Sequence, residues 1–186
     1  MKAALVVGLI AAMLVGLEAG NRFLTIRNDL HAQRQEAIEE WAHVDQALSH
    51  RAALISELAA KRGLGEYSEI ASQDISDARK VLQGSSNPPE KLAANERLTA
   101  VLTRLMVDAN SNPRLQSDQS FTRWKDELAN CDNDIAVTRS RYNRMLEKYN
   151  ARIQEFPDSL VASMAGFHRN DAYFRTDDAS LDGIRR

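Results

Sequence analysis

An all-α fold is what this 186-residue sequence predicts: an N-terminal transmembrane helix followed by an elongated antiparallel four-helix bundle with two long and two short helices. Three observations carry that expectation. After Lys2, the run from Ala3 to Leu17 contains no charged or strongly polar side chain, and no later segment resembles it. Beyond Asn21, apolar residues recur at steps of three and four, the repeat of one helix face. Finally, the stretch from Phe121 to Phe156 alternates those steps over about five heptads, as a helix does when it lays one seam against helical neighbours.

Residues 1–20 are read as the anchor. Hydrocarbon offers no partner to backbone N–H and C=O groups, so a segment buried there must be helical. Ala3, Leu5, Val6, Val7, Leu9, Ile10, Met13, Leu14, Val15 and Leu17 are the residues expected to meet lipid. At 1.5 Å per residue the run from Ala3 to Leu17 covers about 22 Å, short of a hydrocarbon core of roughly 30 Å. Met1, Ala19 and Gly20 therefore extend it, Phe23 and Leu24 sit at the interface, and Arg22 snorkels outward. The competing reading is a signal peptide whose removal releases an exported soluble binding module. Its cleavage site fits poorly, because cutting after Ala19 leaves Leu17, and cutting after Gly20 leaves Glu18, where a small residue is needed. Lys2 on one side faces Arg22, Arg27 and Arg34 on the other, diluted by Glu18 and Asp29, which tips the body weakly toward the cytoplasmic side of a bacterial inner membrane.

Residues 21–157 are read as the bundle. The first helix runs to about Lys61 without Pro or Gly, with Phe23, Ile26, Leu30, Ala37, Trp41, Val44, Leu48, Ile55 and Leu58 on one face. Gly63 and Gly65 bracket its end. The second helix, Glu66 to Gln83, places Tyr67, Ile70, Asp74, Ala78 and Val81 on its stripe. Pro88-Pro89 open the third, where a missing N–H costs nothing, and Leu92, Leu98, Leu102, Leu105 and Met106 define it until about Asn110. Ser111-Asn112-Pro113 marks a turn, Asp118 caps the fourth helix and Pro157 stops it. Its seam is Phe121, Trp124, Leu128, Cys131, Ile135, Thr138, Tyr142, Met145, Tyr149, Arg152 and Phe156. The first and fourth helices measure about 60 Å each and the middle pair about 30 Å, so a four-helix half and a two-helix stalk are expected. A stalk lacking two helices leaves apolar surface to be covered, which makes a homo-oligomer plausible.

The fourth helix would return residues 158–175 to the bilayer. Leu160-Val161-Ala162-Ser163-Met164-Ala165-Gly166-Phe167, with Tyr173 and Phe174, admits two readings. Either it lies at the headgroup boundary, with His168 and Arg169 near anionic lipid, or Phe167 and Phe174 fold onto the stalk and cover its seam. Residues 176–186 are polar and read as a disordered tail.

The net charge of −2, with signs interspersed, offers no basic face and argues against nucleic acid. The single cysteine, Cys131, excludes an internal disulfide and a cysteine-based metal cage.

The chain resembles the LemA family over nearly its whole length. In the first helix the matching residues include Asn28, Leu30, Arg34, Trp41, Asp45, Leu48 and Arg51. In the fourth helix and its exit they include Trp124, Arg139, Tyr142, Asn143, Tyr149, Asn150, Phe156, Pro157, Gly166 and Phe167. Arg27, Ser56 and the turn from Gly63 to Ser68 depart from the family's usual pattern. The resemblance implies a bacterial single-pass membrane protein with a helical-bundle body and a short N-terminus outside, associated with membrane or envelope organisation. It supplies no reaction.

Nor do the residues supply one. Glu40 and His43 have the Glu-x-x-His spacing of di-iron bundles, but His31, His50 and His168 lack an acid three residues before them, so the second copy is missing. No serine sits in a Gly-rich elbow and no phosphate loop occurs. The Tyr142-Asn143 and Tyr149-Asn150 pairs, one heptad apart, either line a groove for a partner helix or fill the seam while the amides satisfy neighbouring groups. The expectation is a non-enzymatic membrane-tethered scaffold without cofactor or metal, with the bilayer and further protein chains as partners. The exported binding module and a metal-dependent enzyme on Glu40 and His43 are the alternatives.

Overall fold

A single helix, α1 (Lys2–Ala59), carries the apolar run and continues into the body without a break. The computed structural model describes residues 2–60 and 67–172. Among them every regular element is helical: α2 (Tyr67–Gly84), α3 (Pro88–Asn110), α4 (Pro113–Gln116), α5 (Gln119–Arg152) and α6 (Asp158–Ala165) follow α1. The Gly63–Gly65 break, Tyr173, Phe174 and the 176–186 tail lie outside the described residues.

Local chemistry explains the boundaries. α1 has no Pro and, after Gly20, no Gly, so nothing in its sequence removes a backbone bond or favours a turn. Ahead of α3, the Ser85 hydroxyl (2.6 Å) and the Asn87 amide (3.1 Å) both donate to Glu90, tying the connector to the first turn. Those two bonds hold the Glu90 carboxyl below the usual carboxylate range. The expected turn at Ser111-Asn112-Pro113 contains a further short helix, α4, whose start is capped by Asn112 Oδ1 accepting from Arg114 N–H at 3.0 Å. Asp118 precedes α5 and its carboxylate accepts from the Ser120 N–H at 2.7 Å, the cap expected of it.

Contacts divide the chain into two compact units. The first joins the stretch up to Glu39 with Arg144–Asp171, and the second is built around Glu40–Asn143. In the second unit the α1 face Val44, Leu48, Ile55 and Leu58 is buried, with Leu98, Leu102 and Leu105 of α3 and Phe121, Trp124, Leu128 and Ile135 of α5. In the first unit Ile26 and Leu30 of α1 form one cluster with Tyr149 of α5 and Val161, Ala162 and Phe167 at the chain's C-terminal side.

Three stripe assignments are corrected. On α2 the buried residues are Ala71, Ile75, Ala78 and Leu82, while Asp74 is exposed. The face that buries is the neighbouring stripe that carries no charge. On α5 Leu146 is fully buried and Met145 only half-buried. A straight α-helix drifts by about 20° per heptad relative to a strict seven-residue repeat, so a step of four replaces one of three after Tyr142. The end of α5 also comes early. It stops at Arg152, and the chain closes into i→i+3 turns, with Gln154 N–H bonded to Ala151 O and Glu155 N–H to Arg152 O. Pro157 disfavours a helical residue before it, so Phe156 cannot continue the seam and is exposed.

Beyond a cis Phe156–Pro157 bond, α6 folds back onto α1 and α5. It ends at Gly166 with φ 74°, a left-handed conformation that glycine adopts without a Cβ clash, and the Phe167 N–H then reaches Ala162 O at 2.9 Å. That reversal drives Phe167 into the cluster, edge-on to His31 with ring centroids 5.9 Å apart. Of the two readings for this segment, covering the α1–α5 seam describes Val161, Ala162 and Phe167, whereas Leu160 and Met164 face outward.

Candidate functional site

The residues singled out in the sequence gather at three places: an apolar sleeve on α1, a polar junction around Arg51, and a clamp around Tyr149, Asn150 and Arg152.

The sleeve is the stretch that the sequence marks as a candidate anchor. Leu5, Val6, Val7, Leu9, Ile10, Met13, Leu14, Val15 and Leu17 are each between 54% and 70% exposed. Ala3 lies in the same helix. This stretch of α1 is long and apolar enough to cross a membrane.

The polar junction sits in the second unit. Arg51 is 2% exposed, a position where a cation survives only when fully bonded. Its Nε donates to Asp132 Oδ1 at 2.7 Å, and Nη1 donates to Asn95 Oδ1 at 3.0 Å and to Thr99 Oγ1 at 2.9 Å. One guanidinium thus ties α1 to α3 and α5. A second buried cation, Lys91, donates to Asp45 Oδ1 at 2.5 Å. Trp124 Nε1 donates to Leu54 O at 2.9 Å while its ring stacks on Phe121 at 5.7 Å and 6°. Trp41 meets Tyr142 at 5.4 Å. Arg139 and Asn143 are half-buried on α5.

Cys131 is buried in the same unit, with its thiol 3.6 Å from Ala47 O. Burial, reinforced by the Asp132 carboxylate and partly offset by Arg51, pushes the thiol from 9.0 up to about 11. The folded value lies above the unfolded one, so the group's contribution to stability is complete below pH 9 and is lost as pH rises toward 11. Two pK units remove about 99% of the reactive thiolate at pH 8. Iodoacetamide at that pH is therefore expected to alkylate Cys131 about a hundredfold more slowly in the folded chain than in denaturant, as read by mass spectrometry. Equal rates would contradict the burial.

The clamp belongs to the first unit. The Asn150 side chain, 3% exposed, donates to Asn170 O at 2.7 Å and accepts from the Asn170 N–H at 2.9 Å. Beside it the Tyr149 hydroxyl donates to His168 O at 3.0 Å, and burial raises its pKa against the opposing pull of Arg34. Arg152 donates through Nε to Asp158 at 2.6 Å and through Nη2 to Asp29 at 2.9 Å, which keeps its guanidinium firmly charged. These bonds fasten the segment after Pro157 to α5 and α1. Asn28 and Arg34 are exposed on α1, and Phe156 is exposed before Pro157.

The Glu40–His43 pair does not converge. Glu40 is half-buried with Oε2 shut away from solvent and accepting no hydrogen bond, whereas His43 is exposed. Among the described residues no group of three or more His, Cys, Asp or Glu side chains is placed to hold a metal ion. What the polar clusters can do chemically is hold helices together: each charge faces a fixed counter-charge. The sequence marks Arg51 and Asp45 only as family residues, leaves Asn150 between lining a groove and satisfying neighbouring groups, and singles out neither Lys91 nor the pair of hydrogen bonds between Asn150 and Asn170. A lysine at the buried position three residues before Ala94 was the one available signal.

Comparison with protein families gives a match to the model of the LemA family over residues 40–182. No curated protein matches the chain.

Proposed function

We propose, from the premise that this chain belongs to the LemA family, that it is a single-pass, membrane-anchored helical scaffold that organises other proteins or copies of itself at a bacterial inner membrane. One observation carries this reading: the exposed apolar sleeve is continuous, within one helix, with the helix that builds the folded body. Nine large side chains left in water forgo roughly 1.5–3 kcal/mol each, on the order of 15–25 kcal/mol together, which insertion into hydrocarbon recovers. In this reading the second unit is an antiparallel four-helix bundle of α1, α2, α3 and α5, on the cytoplasmic side, and its role is to present surfaces rather than to catalyse.

Fractionation tests it. The chain is expected to sediment with membranes, to resist extraction by alkaline carbonate, and to retain the residues before Gly20 when the purified protein is weighed by mass spectrometry. A mature chain that begins downstream of Gly20 and stays in the aqueous fraction would replace this reading with that of an exported binding module.

A further inference from the structure

α6 has two faces. Val161 and Ala162, with Phe167 beyond its end, are buried against Ile26 and Leu30, and Phe23 packs at the edge of the same cluster. The exposed side of α6 carries a stripe of Leu160 (58% exposed) and Met164 (70%), one turn apart, and Phe156 (84%) is exposed in the turn that precedes the helix. Three large apolar side chains left exposed within nine residues are unusual for a segment that meets only water.

We infer that this stripe rests in the boundary layer of the same bilayer that α1 crosses, so that α6 acts as a lateral foot beside the anchor. The inference rests on the membrane-anchor reading above. Continuity with the span identifies the occupant. A span needs about 20 residues, and counting from Ala3 that places its exit near Arg22. The residues of α1 that seat α6 are Phe23, Ile26 and Leu30, so the foot docks within about 12 Å of that exit along the helix axis. At that depth apolar and aromatic side chains are favoured among headgroups and upper acyl chains.

Charge agrees. Arg22 and Arg27 are exposed on the same stretch of α1 and suit lipid phosphates. Two of the acids closest to the foot, Asp29 and Asp158, are both engaged by Arg152, which leaves Glu155 as the exposed acid of the turn between α5 and α6.

The test uses the full chain, in a Cys131→Ala background, reconstituted into phosphatidylcholine–phosphatidylglycerol vesicles. Single cysteines at Leu14→Cys, Leu160→Cys, Met164→Cys and Gln35→Cys carry an NBD fluorophore. Labels at 160 and 164 are expected to lose more than about half their emission to lipids with a nitroxide near the headgroup, and to resist iodide as the label at 14 does. The label at 35 should show the reverse. Iodide quenching at 160 and 164 equal to that at 35, with the label at 14 still in lipid, overturns the foot and leaves the anchor intact. Protection from both quenchers at 160 and 164 means that protein covers the stripe, and overturns it as well. A label at 14 untouched by lipid nitroxide removes the anchor and the foot together.

Discussion

Trp124→Ala is expected to cost about 3–5 kcal/mol, the range for removing a large buried aromatic side chain. The indole is 2% exposed, lies flat on Phe121, and donates from Nε1 to Leu54 O in α1, so truncation opens a cavity and removes a tie between helices at once. Trp124→Phe separates the two effects. It keeps most of the ring contact, loses the N–H, and should cost about 1–2 kcal/mol. Thermal unfolding of the detergent-solubilised chain by circular dichroism provides the measurement. With a shift of about 2–4 °C per kcal/mol at this size, the alanine variant should melt about 6–20 °C lower. A loss below about 1 kcal/mol for Trp124→Ala would mean that this region is loosely packed.

Arg51→Ala is expected to cost about 3 kcal/mol, toward the lower end of the range for breaking a buried ion pair. Removing the guanidinium leaves Asp132, Asn95 and Thr99 without the donor they share, and also empties the space its methylenes filled. The lower end is appropriate because the Asp132 side chain keeps 20% of its surface in water and can be solvated in part. Asp132→Asn retains an acceptor for Arg51 and should cost about 1–2 kcal/mol. A double-mutant cycle then isolates the pair, and a coupling energy above about 1 kcal/mol is expected from two groups in one network. Additive losses would show that Arg51 acts through packing alone.

How much of this was legible in the sequence depended on whether the signal was local. The ends of α3 follow from Pro88-Pro89 and from the turn residues at Ser111 to Pro113, and the buried face of α1 follows from spacing, because Ile26, Leu30, Val44, Leu48, Ile55 and Leu58 all lie on one stripe. Drift was harder to foresee. A seven-residue template laid over a straight helix chose Met145 where Leu146 is buried, and a stripe drawn through Ile70 and Ala78 accepted Asp74 although the adjacent face is free of charge. The polar ties were not legible at all. Arg51 reaches Asn95 and Asp132, 44 and 81 residues away, and Lys91 reaches Asp45, 46 residues away, and a single sequence has no periodicity that pairs such positions. At the C-terminal side, composition left the choice between lipid and protein open for Leu160 to Phe167. The fold buries Val161, Ala162 and, after the left-handed turn at Gly166, Phe167, and leaves Leu160 and Met164 exposed, a division set by tertiary packing that composition does not carry.

Arg152 bonds to Asp29, more than a hundred positions earlier in the chain, and the unit they share draws on both sides of the Glu40–Asn143 body. On the ribosome, where chains emerge N-terminal part first, the partners of Ile26 and Leu30 arrive only after that whole body has been synthesised. The cluster that joins Ile26 and Leu30 to Phe167 is then the last section to close, and until it does the newborn chain has its apolar leading helix but not the packing that covers its lower flank.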